Sequence, residues 1–342
     1  MSHPIAVFGA SGYAGGEVIR LVDAHQELEI SYLGGYNSAG SKLGDVHPQL
    51  GGGDRKIGKL DPSKAKDAEV AFLALPHGAS AEPAMHLIDA GVKVIDLGSD
   101  FRLWTGDRYS EAYGGDHPHA DQLGKWTYGL PELFRKDIAK SDRVAAPGCY
   151  PTSVLLPLAP LIGKGLIEPG VVVDSLSGVS GAGRGVKEHL MYGAIDEGVS
   201  AYAVLTHRHR PEMEQLLEHA AGESVTVLFT PHLVPMQRGI LTTSYAPGTP
   251  GVTQKTLRSA VRAFAKKSPF VELVDEPPQT RWVVGSNRCL ISVHLDDRTG
   301  MVVTISAIDN LIKGTSGQAV QCANLMLGLD EAMGLPLDGW MP

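Results

Sequence analysis

The feature that most constrains the fold lies at the start of the chain. Pro4-Ile5-Ala6-Val7-Phe8 is a short apolar run, and Gly9-Ala10-Ser11-Gly12-Tyr13-Ala14-Gly15 follows it directly. Glu17-Val18-Ile19-Arg20-Leu21-Val22 then carries apolar residues at helical spacing. The order strand, glycine turn, helix is the opening of a parallel α/β sheet. Glycines let the backbone turn sharply and approach a ligand closely. A helix start presents N–H groups and a partial positive charge. The turn therefore suits a pyrophosphate, and Gly9, Ser11, Gly12, Tyr13 and Ala14 are its candidate ligands. The plainer reading is a tight strand-to-helix turn without a ligand. The placement before a helix at the chain start favours the pyrophosphate.

The next segments repeat the alternation. Leu28–Leu33 reads as a second strand. A site for NAD usually places an acidic residue near the end of this strand, to bind a ribose hydroxyl. Here the chain continues Gly34-Gly35-Tyr36-Asn37-Ser38-Ala39-Gly40-Ser41-Lys42, with no acid. Ser38, Ser41 and Lys42 suit a 2′-phosphate instead, so NADP is the expected cofactor; the alternative is that they are solvated loop residues. Glu69–Leu75 is a near-continuous apolar run, as in a buried parallel strand, and ends in the turn Pro76-His77-Gly78-Ala79-Ser80. Val92–Leu97 leads to Gly98-Ser99-Asp100-Phe101-Arg102. Ligands of open parallel sheets bind outside the carboxyl ends of the strands, so Pro76, Ser99 and Arg102 are candidates. Arg102 offers a bidentate fork for a phosphate or carboxylate, or else an ordinary ion pair. Residues 105–130 are polar and read as loop; Tyr128–Glu132 turns into a short helix. Arg143–Ala146 is the last strand of this half. The pattern predicts a doubly wound, mostly parallel sheet.

That last strand delivers Ala146-Pro147-Gly148-Cys149-Tyr150-Pro151-Thr152, followed by the apolar run Ser153–Leu158. Gly148 permits a tight turn and Pro151 fits a first helical turn. Cys149 then stands at or just before a helix N-terminus, where the partial positive charge favours a thiolate. A thiolate there is a ready nucleophile for an acyl group. Taken alone, a single cysteine in a turn is more often a small buried residue.

The second half is richer in strands: Gly170–Leu176, Val225–Thr230, Ile240–Tyr245, Val271–Val274, Cys289–His294 and Met301–Ser306, with a helix near Leu257–Lys266. This predicts an α+β domain on a mixed sheet. Ser177-Gly178-Val179-Ser180-Gly181-Ala182-Gly183-Arg184-Gly185 combines glycines, hydroxyls and an arginine, as an anion loop does. Thr206-His207-Arg208-His209-Arg210-Pro211-Glu212 is the densest histidine cluster and precedes a helix. Either imidazole can serve as acid or base near neutral pH, or the segment is a basic helix entry. A final helix is expected over Gly314–Leu327.

Composition narrows the function class. Lysine and arginine number 30 against 38 acidic residues, a net charge of −8 without a basic cluster, which argues against nucleic acid. The three cysteines have no CxxC pair, so neither a disulfide framework nor a structural metal is expected. No apolar run is long enough to span a membrane. The N-terminus lacks a secretory pattern, and a reducing cytoplasm is the expected compartment.

Taken together, these motifs resemble the N-acetyl-γ-glutamyl-phosphate reductase family, NADPH-dependent enzymes of arginine biosynthesis. That family is grouped with the aspartate-semialdehyde dehydrogenases and is more distantly similar to glyceraldehyde-3-phosphate dehydrogenase. The resemblance covers essentially the whole chain. Its carriers are Gly9–Gly15, Asp96–Arg102, Tyr128–Glu132, Pro147–Thr152, Ser177–Arg184, His207–Glu212, Pro231–Gly239 and Asp309–Gly314. It implies Cys149 as nucleophile and an acid/base histidine within His207–His209, with His209 preferred over His207. It implies that Ser99, Arg102, Ser177 and Arg184 hold the substrate, and that Ser180, Gly181 and Asn310 lie near the nicotinamide. The implied domains are a Rossmann unit over 1–149 and 312–342 and a catalytic and oligomerisation unit over 150–311. The implied assembly is a homo-oligomer, dimer or tetramer. The implied chemistry is a thioacyl enzyme that hydride then reduces to a semialdehyde. The same chemistry on an aspartyl or aminoadipyl phosphate, or a non-catalytic NADP-binding sensor, are the alternatives. The segment Gly34–Asn37 is more glycine-rich and less basic than the family's pattern at the 2′-phosphate.

Overall fold

A computed structural model describes residues 2–340. It contains two compact units, one running to Pro147 and including Thr315–Leu335, the other Gly148–Gly314 together with the residues from Pro336 onward.

The first unit alternates strand and helix: β1 (His3–Phe8), α1 (Tyr13–Asp23), β2 (Leu28–Gly35), α2 (Leu43–Val46), β3 (Gly58–Lys59), β4 (Val70–Leu73), α3 (Ala81–Asp89), β5 (Lys93–Asp96), α4 (Gly106–Tyr113), β6 (Thr127–Tyr128), α5 (Pro131–Ile138) and β7 (Arg143–Ala145). The strands form one sheet in the order β3-β2-β1-β4-β5-β7-β6, and every pairing is parallel. Strand order reverses between β1 and β4, which is where such sheets bind ligands. The central strand β4 is buried along its whole length. That is why it reads as an unbroken apolar run. Residues 105–130, expected as loop, contain α4 and β6. Helix α4 buries only Tyr109, so its sequence carries no apolar stripe; Thr105 caps it by accepting the Arg108 N–H.

The second unit contains α6 (Cys149–Ile162), β8 (Gly170–Ser177), α7 (Tyr192–Ile195), β9 (Ser200–Ala201), α8 (Arg210–Ala221), β10 (Thr226–Leu233), β11 (Ile240–Pro247), α9 (Gln254–Ala265), β12 (Val271–Leu273), β13 (Cys289–Asp296) and β14 (Met301–Ile308). Its sheet runs β12-β13-β14-β11-β8-β10-β9 and mixes both pairing senses. Helix α6 packs on β11, β14, α8 and α9 and is buried almost all round. Hydroxyls fasten it to the sheet. Ser153 Oγ lies 2.7 Å from Thr242 Oγ1, Ser175 Oγ lies 2.8 Å from that same atom, and Ser306 Oγ donates to the Ser153 carbonyl at 2.7 Å. Each such bond contributes about 0.5–1.5 kcal/mol. The other sheet face leaves Val172, Leu228 and Tyr245 more than a third exposed.

Helix α10 (Gly317–Met326) rejoins the first unit and packs on α1 and α5. The sequence reading divided the chain at 149/150 and 311/312. The contacts divide it at Pro147/Gly148 and Gly314/Thr315, and return the last residues to the second unit. The return has a local cause: the Asn287 N–H donates to the Pro336 carbonyl and the Trp340 N–H to the Val284 carbonyl.

Candidate active site

In the first unit the glycine turn is closed on itself. Gly9 has φ +82°, and a Cβ there would stand 2.1 Å from the Ala74 carbonyl oxygen. A Cβ at Gly15 would stand 2.2 Å from the Gly9 carbonyl oxygen. Only glycine satisfies both contacts. Gly12 caps α1 with extended backbone; no side chain caps the helix and its first turn holds no acid. The N-terminus of α1 thus presents its partial positive charge across a cradle that side chains would fill, which fits a pyrophosphate. Tyr13 flanks it, 41% exposed, and the Ala14 carbonyl accepts Ser316 Oγ at 2.9 Å. His47, which the sequence reading did not single out, supports the turn. Its Nε2 lies 2.9 Å from the Ala10 carbonyl oxygen, and its ring fills the space a Cβ at Gly16 would occupy.

The candidate 2′-phosphate residues lie just past β2. Ser38 Oγ stands where a Cβ of Gly35 would clash, at 2.4 Å, which accounts for the glycine there. The Ser41 N–H donates to the Ser38 carbonyl at 3.1 Å, so both serines share one turn. Lys42 Nζ pairs with Asp54 at 2.8 Å; both side chains are more than half exposed. Such a pair is worth little and yields readily to a stronger anion.

The turns after β4 and β5 are joined by a residue the sequence reading passed over. Asp100 accepts the N–H groups of Gly78, Ser80 and Ala81 at 2.7–3.1 Å, and so fixes Pro76–Ser80 at the start of α3. Ser99 Oγ lies 2.8 Å from His77 Nδ1. Arg102 differs from expectation. It is buried and donates to the carbonyls of Leu97 and Ala146, each at 2.9 Å. It braces the strand ends before Cys149 instead of presenting its fork to solvent. Asp96 is fully buried and accepts the Gly98 N–H at 2.8 Å. Burial, and then the neighbouring Asp100 charge, push its carboxyl up to about 7.

The second unit holds the thiol. Gly148 caps α6 in extended conformation and Cys149 is its first residue. The first turn has no acidic residue of its own, so the helix dipole there favours a thiolate. Cys149 is partly exposed, whereas Gly148 and Tyr150 are buried. Two glycines are required beside it. A Cβ at Gly148 would lie 2.6 Å from His209 Nε2, and one at Gly314 would lie 2.8 Å from the Cys149 Cβ. The imidazole of His209 therefore rests directly on the residue before Cys149. Glu212, fully buried on the first turn of α8, accepts the Gly148 N–H at 2.8 Å.

The two histidines have different surroundings. His207 Nδ1 accepts the His209 backbone N–H at 3.1 Å, which places any ring proton on Nε2. Burial, reinforced by the Arg208 charge, lowers it to about 4. His207 is thus neutral at physiological pH, wedged at 4.8–5.7 Å between the rings of His209, Tyr150 and Tyr202. The Tyr150 and Tyr202 hydroxyls meet at 2.8 Å. Burial raises both phenols, Tyr202 to about 12.

The expected anion loop forms a second cluster in this unit. Gly178 packs on the carbonyls of Met236 and Gln237, where a Cβ would approach to 2.8 Å. Ser177 is buried at the end of β8. Asn310 joins the loop to the β10–β11 turn, accepting the Gly239 N–H at 2.8 Å and donating to Ser180 Oγ at 2.9 Å. A Cβ on Gly181 would lie 3.7 Å from that same amide nitrogen. Arg184 lies on the exposed stretch after Gly183.

Comparison with known proteins gives these residues their family. The description "Semialdehyde dehydrogenase, NAD binding domain" matches residues 4–141, and "Semialdehyde dehydrogenase, dimerisation domain" matches residues 149–310. An N-acetyl-gamma-glutamyl-phosphate reductase of Acaryochloris marina is 44% identical over 339 residues, covering 97% of this chain and 96% of its own. The reductase 1 of a Nostoc species is 43% identical, with 99% and 98% covered. This chain belongs to the N-acetyl-γ-glutamyl-phosphate reductase family. Among solved structures, aspartate semialdehyde dehydrogenase II of Vibrio cholerae, complexed with ASA, has a TM-score of 0.72 at 19% identity, covering 96% of this chain and 99% of that one. The Candida albicans aspartate semialdehyde dehydrogenase with NADP has a TM-score of 0.73 at 16% identity and the same coverage. At that identity the likeness extends to the fold. Within the family's motifs, sequence reading singles out Cys149 and the histidine pair. It missed the functions of Asp100, Glu212 and Gly314, whose partners lie on other elements; only the motif positions of these residues hinted at them.

Proposed function

We propose that this chain reduces N-acetyl-γ-glutamyl phosphate to N-acetylglutamate 5-semialdehyde and phosphate, with NADPH as reductant. The observation that carries the reading is a partly exposed cysteine at the N-terminus of α6 with His209 packed on its preceding residue. The near-full-length similarity to reductases of that name supplies the substrate. In this scheme the Cys149 thiolate attacks the acyl carbon, the C–O bond to phosphate breaks, and a thioester on Cys149 remains. Bound NADPH supplies the hydride that reduces that thioester. His209 gives a proton to the developing oxyanion and recovers it as the thiolate leaves. Such assistance is worth about 10²–10⁴ in rate. His207 stays neutral and orients His209 and Tyr150. The α1 cradle of Gly9, Ser11, Gly12, Tyr13 and Ala14 would hold the pyrophosphate and Ser38, Ser41 and Lys42 the 2′-phosphate; Pro76 of the first unit and Ser180, Gly181 and Asn310 of the second would serve the nicotinamide. Ser99, Ser177 and Arg184 hold the substrate. Within the first unit, Arg102 ties the chain after β5 to the chain after β7.

We infer also that the chain works as a homodimer or tetramer in the cytoplasm. The exposed apolar sheet face at Val172, Leu228 and Tyr245 supports the first inference. Among the described residues no cysteine is in a disulfide, which fits the second. Among the described residues no helix is long and apolar enough to cross a membrane.

The deciding assay is phosphate-dependent formation of NADPH from N-acetylglutamate 5-semialdehyde, with aspartate semialdehyde and NAD in parallel. Turnover confined to the acetylated substrate with NADP is the expected result. Turnover of aspartate semialdehyde instead would keep the chemistry and overturn the substrate. No turnover with any pair would favour a cofactor-binding sensor.

A further inference from the structure

Two runs of the second unit take little part in the chemistry above: Pro231–Gly239 and Asp309–Gly314. They meet at one buried carboxylate. Asp309 follows β14 and is fully buried. Its Oδ1 accepts the N–H groups of Leu311 and Ile312 at 2.8 and 3.1 Å. Its Oδ2 accepts the Gly285 N–H at 2.8 Å and Arg238 Nη1 at 3.2 Å. The Arg238 guanidinium in turn lies 5.2 Å from the centre of the Trp340 ring. The Asp309 carbonyl accepts the Gly314 N–H, five residues on, at 2.9 Å. That spacing belongs to a π turn, and Ile312–Ser316 form one. Turns of this kind are rare and gather at functional sites. Here the turn carries Gly314 onto the nucleophile. A Cβ at Gly314 would stand 2.8 Å from the Cys149 Cβ and 3.3 Å from its Cα.

We propose that Asp309, held by Arg238, is a positioning residue for Cys149. The carboxylate pins the entry to the π turn, the turn sets Gly314, and Gly314 backs the carbon that bears the sulfur. The direction of that Cα–Cβ bond decides how the thiolate faces the α6 N-terminus and His209. The neighbouring Asn310 has the complementary task, tying the Gly178–Arg184 loop to Gly239. Adjacent residues thus brace the two clusters of the second unit separately. Without Arg238, Asp309 loses its side-chain donor and keeps the N–H groups of Gly285, Leu311 and Ile312, so the entry to the turn is held less firmly. A displacement of about 1 Å at a reacting group costs roughly 10²-fold in rate.

The test uses the full chain carrying Arg238→Met, Arg238→Lys or Asp309→Asn, with thermal melting as the check on folding. The first readout is the pH dependence of Cys149 alkylation by iodoacetamide, with Cys149→Ser as background for the other two cysteines. The second is kcat and KM in the reductase assay, and only this arm rests on the proposed reaction. In Arg238→Met we expect the alkylation midpoint to move to higher pH. We expect kcat to fall about 10- to 100-fold, with KM for both substrates little changed. Arg238→Lys recovers part of the loss, because it keeps a cation without the fork. A folded Arg238→Met that alkylates and turns over like wild type overturns the proposal. So does a lowered melting temperature with an unmoved alkylation profile, since that is a structural role alone. If Asp309→Asn does not fold, Arg238→Met decides. A wild-type chain inert in the assay, whose alkylation profile still shifts in the variant, overturns the reductase reading and leaves the positioning role standing.

Discussion

Two helix starts in this molecule use the same local device for different ends. Gly12 opens α1 and Gly148 opens α6. Both glycines have extended backbone, neither helix has a side-chain cap, and neither first turn holds an acid. Each therefore offers positive potential at its N-terminus. At α1 the surroundings are backbone: Gly9 against the Ala74 carbonyl, Gly15 against the Gly9 carbonyl. That leaves a cradle shaped for an external anion. At α6 the surroundings are side chains and a second turn: His209 on Gly148, Glu212 on its N–H, Gly314 on Cys149. There the Glu212 carboxylate already takes the Gly148 N–H, and the first helical residue is Cys149. The comparison teaches that a glycine-capped helix start sets the sign of the potential, and that its neighbours choose what the potential stabilises.

The largest effect expected from breaking this comparison is at the thiolate. Cys149→Ser should lose at least about 10³-fold in kcat while NADPH still binds the α1 cradle, as read by nucleotide fluorescence. Retention of a tenth of wild-type activity would remove the covalent scheme. Next come the glycines. Gly148→Ala drives a methyl into His209 and should cost about 10²-fold in kcat with little change in cofactor KM. Gly12→Ala meets no protein atom nearer than 3.5 Å but places a methyl in the cradle, and should raise cofactor KM with Cys149 alkylation unchanged. Gly9→Ala, strained at φ +82° and 2.1 Å from a carbonyl, should raise cofactor KM and spare alkylation of Cys149. Equal kinetic effects at Gly12 and Gly148 would contradict the division of labour.

The histidines sharpen the contrast further. His209→Gln should cost about 10²–10⁴ in kcat. His207→Gln should leave the shape of the pH–rate profile unchanged above neutrality. Its effect is on stability. The folded His207 is lowered to about 4 from an ordinary 6.5, so the unfolded chain binds the extra proton. Stability from this residue is present above pH 6.5 and is lost as pH falls toward 4. Melting curves of wild type and His207→Gln should diverge less at the acid end than at neutral pH.

The smallest effect is in the first unit. The folded Asp96 carboxyl is raised to about 7 from 3.8, so here the folded state binds the extra proton. Its contribution falls as pH rises from about 4 through 7. Asp96→Asn keeps an acceptor for the Gly98 N–H and removes the charge. The variant's melting temperature relative to wild type should be higher at pH 8 than at pH 5. A constant difference across that range would mean that Asp96 is ionised in the fold.

Much of the first unit was legible because its signals are local. The Gly9–Gly15 turn and the apolar run of β4 are written in consecutive residues, and period and punctuation reveal them. Helix α4 was hidden for the converse reason: one buried residue in eight gives no stripe. For Arg102 the sequence offers an anion ligand or an ordinary ion pair, and the fold adds two carbonyl partners, Leu97 and Ala146. Whether it faces solvent or two carbonyls depends on β5 and on the chain near Ala146, which local sequence does not specify. Lys42 was chosen for its charge, and Asp54 is what holds it here.

By itself the sequence determined the alternation of strands and helices, the glycine cradle, the candidate nucleophile and the family, because these rest on neighbours in the chain or on motifs of contiguous residues. The tertiary structure alone decided that His209 lies on Gly148 and that His207 is held neutral. It alone decided that Glu212 takes the N–H before Cys149, and that Gly314 reaches that cysteine through a π turn anchored by Asp309. These contacts join residues tens to well over a hundred positions apart. Their geometry follows from how α6, α8 and the strand ends pack, which no local pattern in the chain encodes.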